Sequence, residues 1–237
     1  MWSGDARKAA TVRASATDGG ASARRSTPGR PPRLDAERRW WAQGAVVAGV
    51  DEAGRGAWAG PVTVAAVVLP RHRRLYRLRD SKLLWPCERE HLAARLDARA
   101  LGVGVGWGSN DEIDRDGMSA AMRRAAARAV ATLPLRPDVL LLDGAWDFLA
   151  GYGTVNETLV NGDARCASVA GASIVAKVAR DAWLRDLAVG WPAYGFASNK
   201  GYPTPTHLAG LDRWGPCPLH RRTWTPVAAA GAHRDCG

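Results

Sequence analysis

The sequence predicts an α/β protein: a mixed β-sheet flanked by helices and continued by a helical C-terminal extension. Three observations carry that prediction. Two short apolar, β-branched runs at 45–50 and 62–69 enclose a glycine-rich turn, further strand-like runs alternate with helical patterns, and the chain ends in a helical stretch. The 237 residues suit one large domain, and 46% apolar with 24% charged residues is ordinary globular composition. A wholly disordered or fibrous chain is excluded. No apolar run approaches the ~20 residues of a membrane span.

Residues 1–44 come first and read as a disordered basic tail, rich in Ala, Ser, Gly, Pro and Arg with little to bury. The ordered domain is expected over 45–227. AVVAGV (45–50) and VTVAAVVL (62–69) hardly alternate with polar residues, so they read as a hairpin buried on both faces. LGVGVGW (101–107) alternates and gives a third strand, DVLLLD (138–143) a fourth and TVNETLV (154–160) a fifth. Helical patterns occupy 86–100, 117–133 and 164–188, and a last one at 205–214 opens with Pro205, where a first turn tolerates proline. Residues 228–237 read as a short C-terminal tail. No internal repeat is visible.

The net charge is +10, and half of it belongs to the tail, where nine Lys+Arg face four Asp+Glu. That tail reads either as a solvating extension or as an arm that attracts nucleic acid. The mildly basic body suits a polyanionic partner. Cys87, Cys166, Cys217 and Cys236 lie far apart without a CxxC pair. They form neither a zinc motif nor a disulfide framework, and no apolar signal core precedes them, so a cytoplasmic protein is expected.

The acidic residues point to chemistry. Asp51 and Glu52 end the first strand, Asp143 ends the fourth, and Asp163 follows the fifth directly before the long helix. Strand ends are where α/β sheets gather their sites. Any one of these acids alone also reads as a turn or helix cap. Together they suggest a carboxylate-only cluster for Mg2+ or Mn2+, whose hard oxygen preference fits a site without His or Cys. Two such ions serve in-line phosphoryl displacement. In a regular strand Asp51 and Glu52 point to opposite faces, so both can join one site only if Glu52 already lies in the turn. The chain has 29 arginines and four lysines. Three of those, Lys82, Lys177 and Lys200, sit near these motifs, where a compact charge suits phosphate.

At this point the motifs resemble a known family. Gly49-Val50-Asp51-Glu52-Ala53-Gly54-Arg55-Gly56 with Ala59-Gly60-Pro61-Val62 is similar to the signature of the type-2 ribonucleases H (ribonuclease HII). So are Asp80-Ser81-Lys82, Asp143-Gly144, Gly162-Asp163, the run Ala172 to Asp181, Lys200-Gly201-Tyr202-Pro203 and His220-Arg221. The resemblance covers about 45–227 in order. It implies a ribonuclease H-like fold and a monomeric, Mg2+- or Mn2+-dependent endonuclease that binds RNA–DNA hybrids and ribonucleotide-containing DNA duplexes. Cleavage would leave 3′-hydroxyl and 5′-phosphate ends. It implies Asp51, Glu52, Asp143 and Asp163 as catalytic metal ligands. The Gly54-Arg55-Gly56 turn and Tyr202 would read the ribonucleotide junction, and Lys82, Lys177 and Arg180 would contact phosphates. The alternatives are another acidic-cluster nuclease of the same fold, resolvase-like, or a non-catalytic hybrid-binding protein.

Four positions depart from the family pattern. Ala57-Trp58 stands where proline is common, and Asn161 where a lysine often precedes Gly-Asp. Gly171 interrupts the long helix, at ~1 kcal/mol if exposed. Trp85 replaces a serine N-cap worth ~1 kcal/mol.

Overall fold

A computed structural model describes residues 31–71, 78 and 81–232. The expected disorder of residues 1–30 lies outside the described residues, as does Asp80. The sheet has the order β3-β2-β1-β4-β5, from β1 (Val47–Ala53), β2 (Val62–Val68), β3 (Gly102–Gly108), β4 (Val139–Asp143) and β5 (Val155–Leu159). β2 lies antiparallel to both β1 and β3, while β1, β4 and β5 run parallel. The sheet is therefore mixed. Each expected strand forms within two or three residues of its predicted bounds.

The helices are α1 (Asp35–Trp41), α2 (Pro86–Arg99), α3 (Asn110–Asp116), α4 (Met118–Ala131), α5 (Gly162–Arg165), α6 (Ala167–Leu187), α7 (Phe196–Asn199), α8 (Pro205–Trp214) and α9 (Thr225–Ala232). α4 covers one face of the sheet, and α6 with α2 covers the other. The α4 contact is close because β3 turns glycines toward it. A Cβ on Gly104 or Gly106 would lie 2.1 or 2.0 Å from the Ala129 and Ala125 carbonyl oxygens. No methyl group fits there, so α4 rests on bare backbone.

Three expectations need correction. Residues 35–41 are helical rather than part of a disordered tail. Glu37 is fully buried, and its Oε1 accepts from Ser168 N (2.7 Å) and from Cys166 Sγ (3.1 Å), filling the N-terminus of α6. Trp40 and Trp41 pack beside Val47, Leu141 and Val169, so the ordered domain begins before 45. At the other end α9 runs past residue 227, which is itself a buried valine. The third correction concerns Gly171, which is buried: a Cβ there would meet Leu96 Cδ2 at 3.3 Å. Its effect is one of close helix packing, not of exposed helix propensity. Trp85 N–H is satisfied by the Glu88 carboxylate at 2.9 Å, but the indole carries no acceptor, so half of the usual capping box is missing.

The C-terminal extension forms a small unit on the end of α6, where Ala59, Leu184, Tyr194, Phe196, Leu211 and Cys217 make one apolar cluster. Among the described residues no helix is long and apolar enough to cross a membrane.

Candidate active site

The β1–β4 register builds the centre of the site. Val50 pairs with Leu142, so the next step along both parallel strands sets Asp51 beside Asp143. Period-two alternation turns both side chains toward α6, because Val50 and Leu142 face α4. Asp51 is only 5% exposed. Burial, then the negative charges of Glu52 and Asp143, push its carboxyl well above the usual range. Ser173 of α6 donates a hydrogen bond that partly opposes this. Ser173 Oγ lies 2.9 Å from Ser81 Oγ, so a serine pair links the Lys82 turn to Asp51.

Glu52 is not in the turn. It pairs with Val64 inside β1, contrary to the condition set for its joining the site. Its carboxylate nonetheless lies near enough to Asp143 for the two charges to repel. Burial raises its carboxyl most, Arg55 opposes that shift from 4.0 Å away, and Asp143 adds to it. Asp143 Oδ1 accepts from Gly162 N at 2.7 Å and Asp163 N at 3.4 Å, which ties the start of α5 to the end of β4. Asn161, in left-handed backbone with φ 55°, makes the corner that turns Asp163 inward. Asp163 is buried and receives Lys82 Nζ at 3.0 Å.

All four acids offer oxygen donors, Asp51 and Asp163 are buried, and Asp51, Glu52 and Asp143 repel one another, a chemistry that fits a hard divalent cation. Among the described residues, no three His, Cys, Asp or Glu side chains are gathered tightly enough to hold an ion as they stand. Asp163 is turned to Lys82 and Asp143 to backbone N–H groups.

The segments expected to read the substrate adjoin the carboxylates. The Gly54-Arg55-Gly56 turn follows β1 directly, with Gly54 at φ +87° and so close to Arg180 that a Cβ would sit 1.9 Å from its Nε. Only glycine fits. Around Gly56 no atom lies within 4 Å of where a Cβ would be, so that face is open. The Tyr202 loop is bonded to the same turn, because Gly201 O accepts from Trp58 N (2.8 Å) and Ala59 N (3.3 Å).

The expected phosphate contacts divide. Lys82 meets Asp163, and Lys177 Nζ lies 2.6 Å from both oxygens of Asp181. Arg180 requires correction. It is 1% exposed, and it donates to Pro61 O, Lys200 O and Ala59 O at 2.9 Å each. Its guanidinium packs under the Tyr202 ring, 5.7 Å from the centroid. Arg180 braces Tyr202 and the backbone at Ala59 and Pro61 from beneath and does not present itself to a phosphate. Ser173, Glu37 and the His207–His220 pair carried no assigned role in the sequence; the histidines look scattered until the fold brings them together.

Residues 48–227 match the family model described as Ribonuclease HII. The chain is 46% identical over 204 residues to a ribonuclease HII of Streptomyces coelicolor, covering 85% of this chain and 87% of that one. It is 47% identical over 205 residues to the ribonuclease HII of Moorella thermoacetica, covering 84% and 98%. Its structure is similar to that of ribonuclease H2 from Pyrococcus horikoshii, with a TM-score of 0.70 and 28% identity over 79% of this chain and 97% of that one.

Proposed function

The chain belongs to the ribonuclease HII family, and from that premise we propose a metal-dependent endonuclease that cuts the RNA strand of RNA–DNA hybrids. The same site would act at single ribonucleotides embedded in duplex DNA, leaving 3′-hydroxyl and 5′-phosphate ends. The observation that carries this reading is the placement of Asp51 and Asp143 one residue beyond the Val50–Leu142 pair of neighbouring parallel strands, with a glycine turn bonded to the Tyr202 loop directly after Asp51 and Glu52.

In this reading Asp51, Glu52, Asp143 and Asp163 hold Mg2+ or Mn2+, which when bound supplies an activated water and positive charge at the scissile phosphate. The protein's own groups do the rest. Ser173 orients Asp51. The N–H groups of Gly162 and Asp163 orient Asp143. Lys82 is the cation beside the cluster, exchanging its hold on Asp163 for a phosphate oxygen as substrate arrives, and Lys177 does the same from Asp181. The open face at Gly56 lets backbone approach a ribose 2′-hydroxyl, the group that distinguishes RNA from DNA. Free thiols at Cys87, Cys166 and Cys217 support a reducing, cytoplasmic setting.

The test uses a DNA duplex with one ribonucleotide and a uniform hybrid, each with and without Mg2+ or Mn2+. Asp51→Asn and Asp143→Asn should abolish cleavage of both while binding stays intact or tightens, since affinity comes from the basic groups. Substantial turnover by both variants would sink the site. Binding without cleavage by the unaltered protein would leave a hybrid-binding protein instead.

A further inference from the structure

Arg221 is fully buried, and its donors go to backbone. Nε donates to Gly60 O (3.0 Å), and the two terminal nitrogens donate to Arg55 O (2.9 Å) and Gly54 O (2.7 Å). A buried guanidinium is tolerated only where its hydrogens are matched in its own plane. The three matching carbonyls belong to the β1–β2 connection that follows Asp51 and Glu52, two of them in the Gly54-Arg55-Gly56 turn itself and the third at Gly60. The backbone around Arg221 closes on that turn too. Arg221 N donates to Trp58 O (2.9 Å), and Gly60 N donates to Leu219 O (2.8 Å).

The preceding residue reaches the other segment expected to read the substrate. His220 Nδ1 accepts from Cys217 N at 2.9 Å, so its proton resides on Nε2 and is donated to His207 Nε2 at 2.9 Å. His207 then carries its own proton on Nδ1, which is donated to Tyr202 O at 2.9 Å. Each ring has one tautomer, fixed by its neighbours. Tyr194 and Phe196 enclose the pair, with ring centroids 4.9 Å from His220 and 5.2 Å from His207 respectively. Anchoring the C-terminal unit needs none of this, since its apolar cluster already does so. Two successive residues send their hydrogen bonds to the two segments expected to read the substrate.

We propose that His220-Arg221 is a positioning device for ribonucleotide recognition. Arg221 sets the Gly54-Arg55-Gly56 turn, and His220, through His207, sets Tyr202, so turn and ring face a sugar in one fixed relation. Neither residue touches the reacting atoms. This rests on the junction-reading role proposed above.

The test uses the full chain with Arg221→Lys, which keeps a cation but cannot span three carbonyls, and His220→Phe, which keeps the ring volume but breaks the relay. In Arg221→Lys the amides of Trp58, Ala59 and Gly60 should exchange hydrogen about tenfold faster while β2 and β4 keep their protection. With both variants, kcat/KM on the single-ribonucleotide duplex should fall about 10- to 100-fold, and by less on a uniform hybrid. Equal losses on both substrates, or unchanged exchange in the turn, would overturn the proposal. Should Arg221→Lys fail to melt cooperatively, the substrate bias of His220→Phe decides. An unaltered protein that cleaves neither substrate refutes the nuclease reading instead, and the exchange comparison still decides whether Arg221 holds the turn.

Discussion

Tyr202 is held from two sides, by Arg180 under its ring and by His207 at its carbonyl, while the residue stays 38% exposed. A side chain fixed from behind and open in front is suited to reading a neighbour. Its ring would pack against the deoxyribose next to a ribonucleotide, where an extra hydroxyl fits poorly. Tyr202→Ala should therefore impair the single-ribonucleotide substrate markedly more than an all-RNA strand paired with DNA, measured as kcat/KM on each. Equal losses, or collapse of the fold, would remove Tyr202 from the reading surface. Arg180 teaches the complementary lesson. The family resemblance implies Arg180 as a phosphate contact, and only the fold reveals the three carbonyls that occupy it.

At the scale of elements, α6 ties the molecule together: it packs on β1 and β2, presents Ser173 to Asp51, and carries Arg180 to the glycine turn. Its N-terminus is closed by Glu37 of α1, and Trp40 Nε1 of the same helix donates to Glu157 of the edge strand at 3.0 Å. Relative to a chain beginning at residue 31, one beginning at 43 should lose about 2–4 kcal/mol, from a missing cap and lost aromatic burial. Chemical denaturation of the two chains measures it, and a difference near zero would mean that α1 is dispensable. Sequence alone made the strands legible, because apolar runs and glycine turns are local. It located the acids at their strand ends for the same reason. The segment DAERRWW falls within the expected tail, because its reason to form a helix is a cap on α6 more than a hundred residues away. Ser109 and Glu112 form a capping box, a local sequence signal of α3 that is independent of apolar periodicity. Long-range partners were out of reach: the Arg221 clamp and the histidine relay join residues whose proximity exists only after folding.

For the molecule as a whole, the proposed site conflicts with stability. The folded chain holds the Asp51 proton more tightly than the unfolded chain, whose ordinary value is 3.8, so its ionised form destabilises the fold. That destabilisation is absent at low pH, grows as pH rises from about 4 through the folded pKa, and is complete above it; Glu52 has the same sign. The histidine pair runs the other way. Burial lowers His207, and lowers His220 from 6.5 to about 4, so their contribution is present above pH 6.5 and fades as pH falls. The two effects overlap in any single melting curve, but Asp51→Asn removes only the first. The amide that replaces the carboxylate stays uncharged, relieves Glu52 and Asp143, and leaves the histidines untouched. The variant should thus melt higher than the unaltered protein at neutral pH, by roughly 2–4 °C for each kcal/mol relieved. The gap should shrink as pH falls toward 4. Added Mg2+ should raise the melting temperature of the unaltered protein and do so less in the variant, since an ion that binds the folded state alone stabilises it by mass action. A variant that melts lower at neutral pH, or gains equally from Mg2+, would mean that these acids are not held together under mutual repulsion and do not form the ion's site.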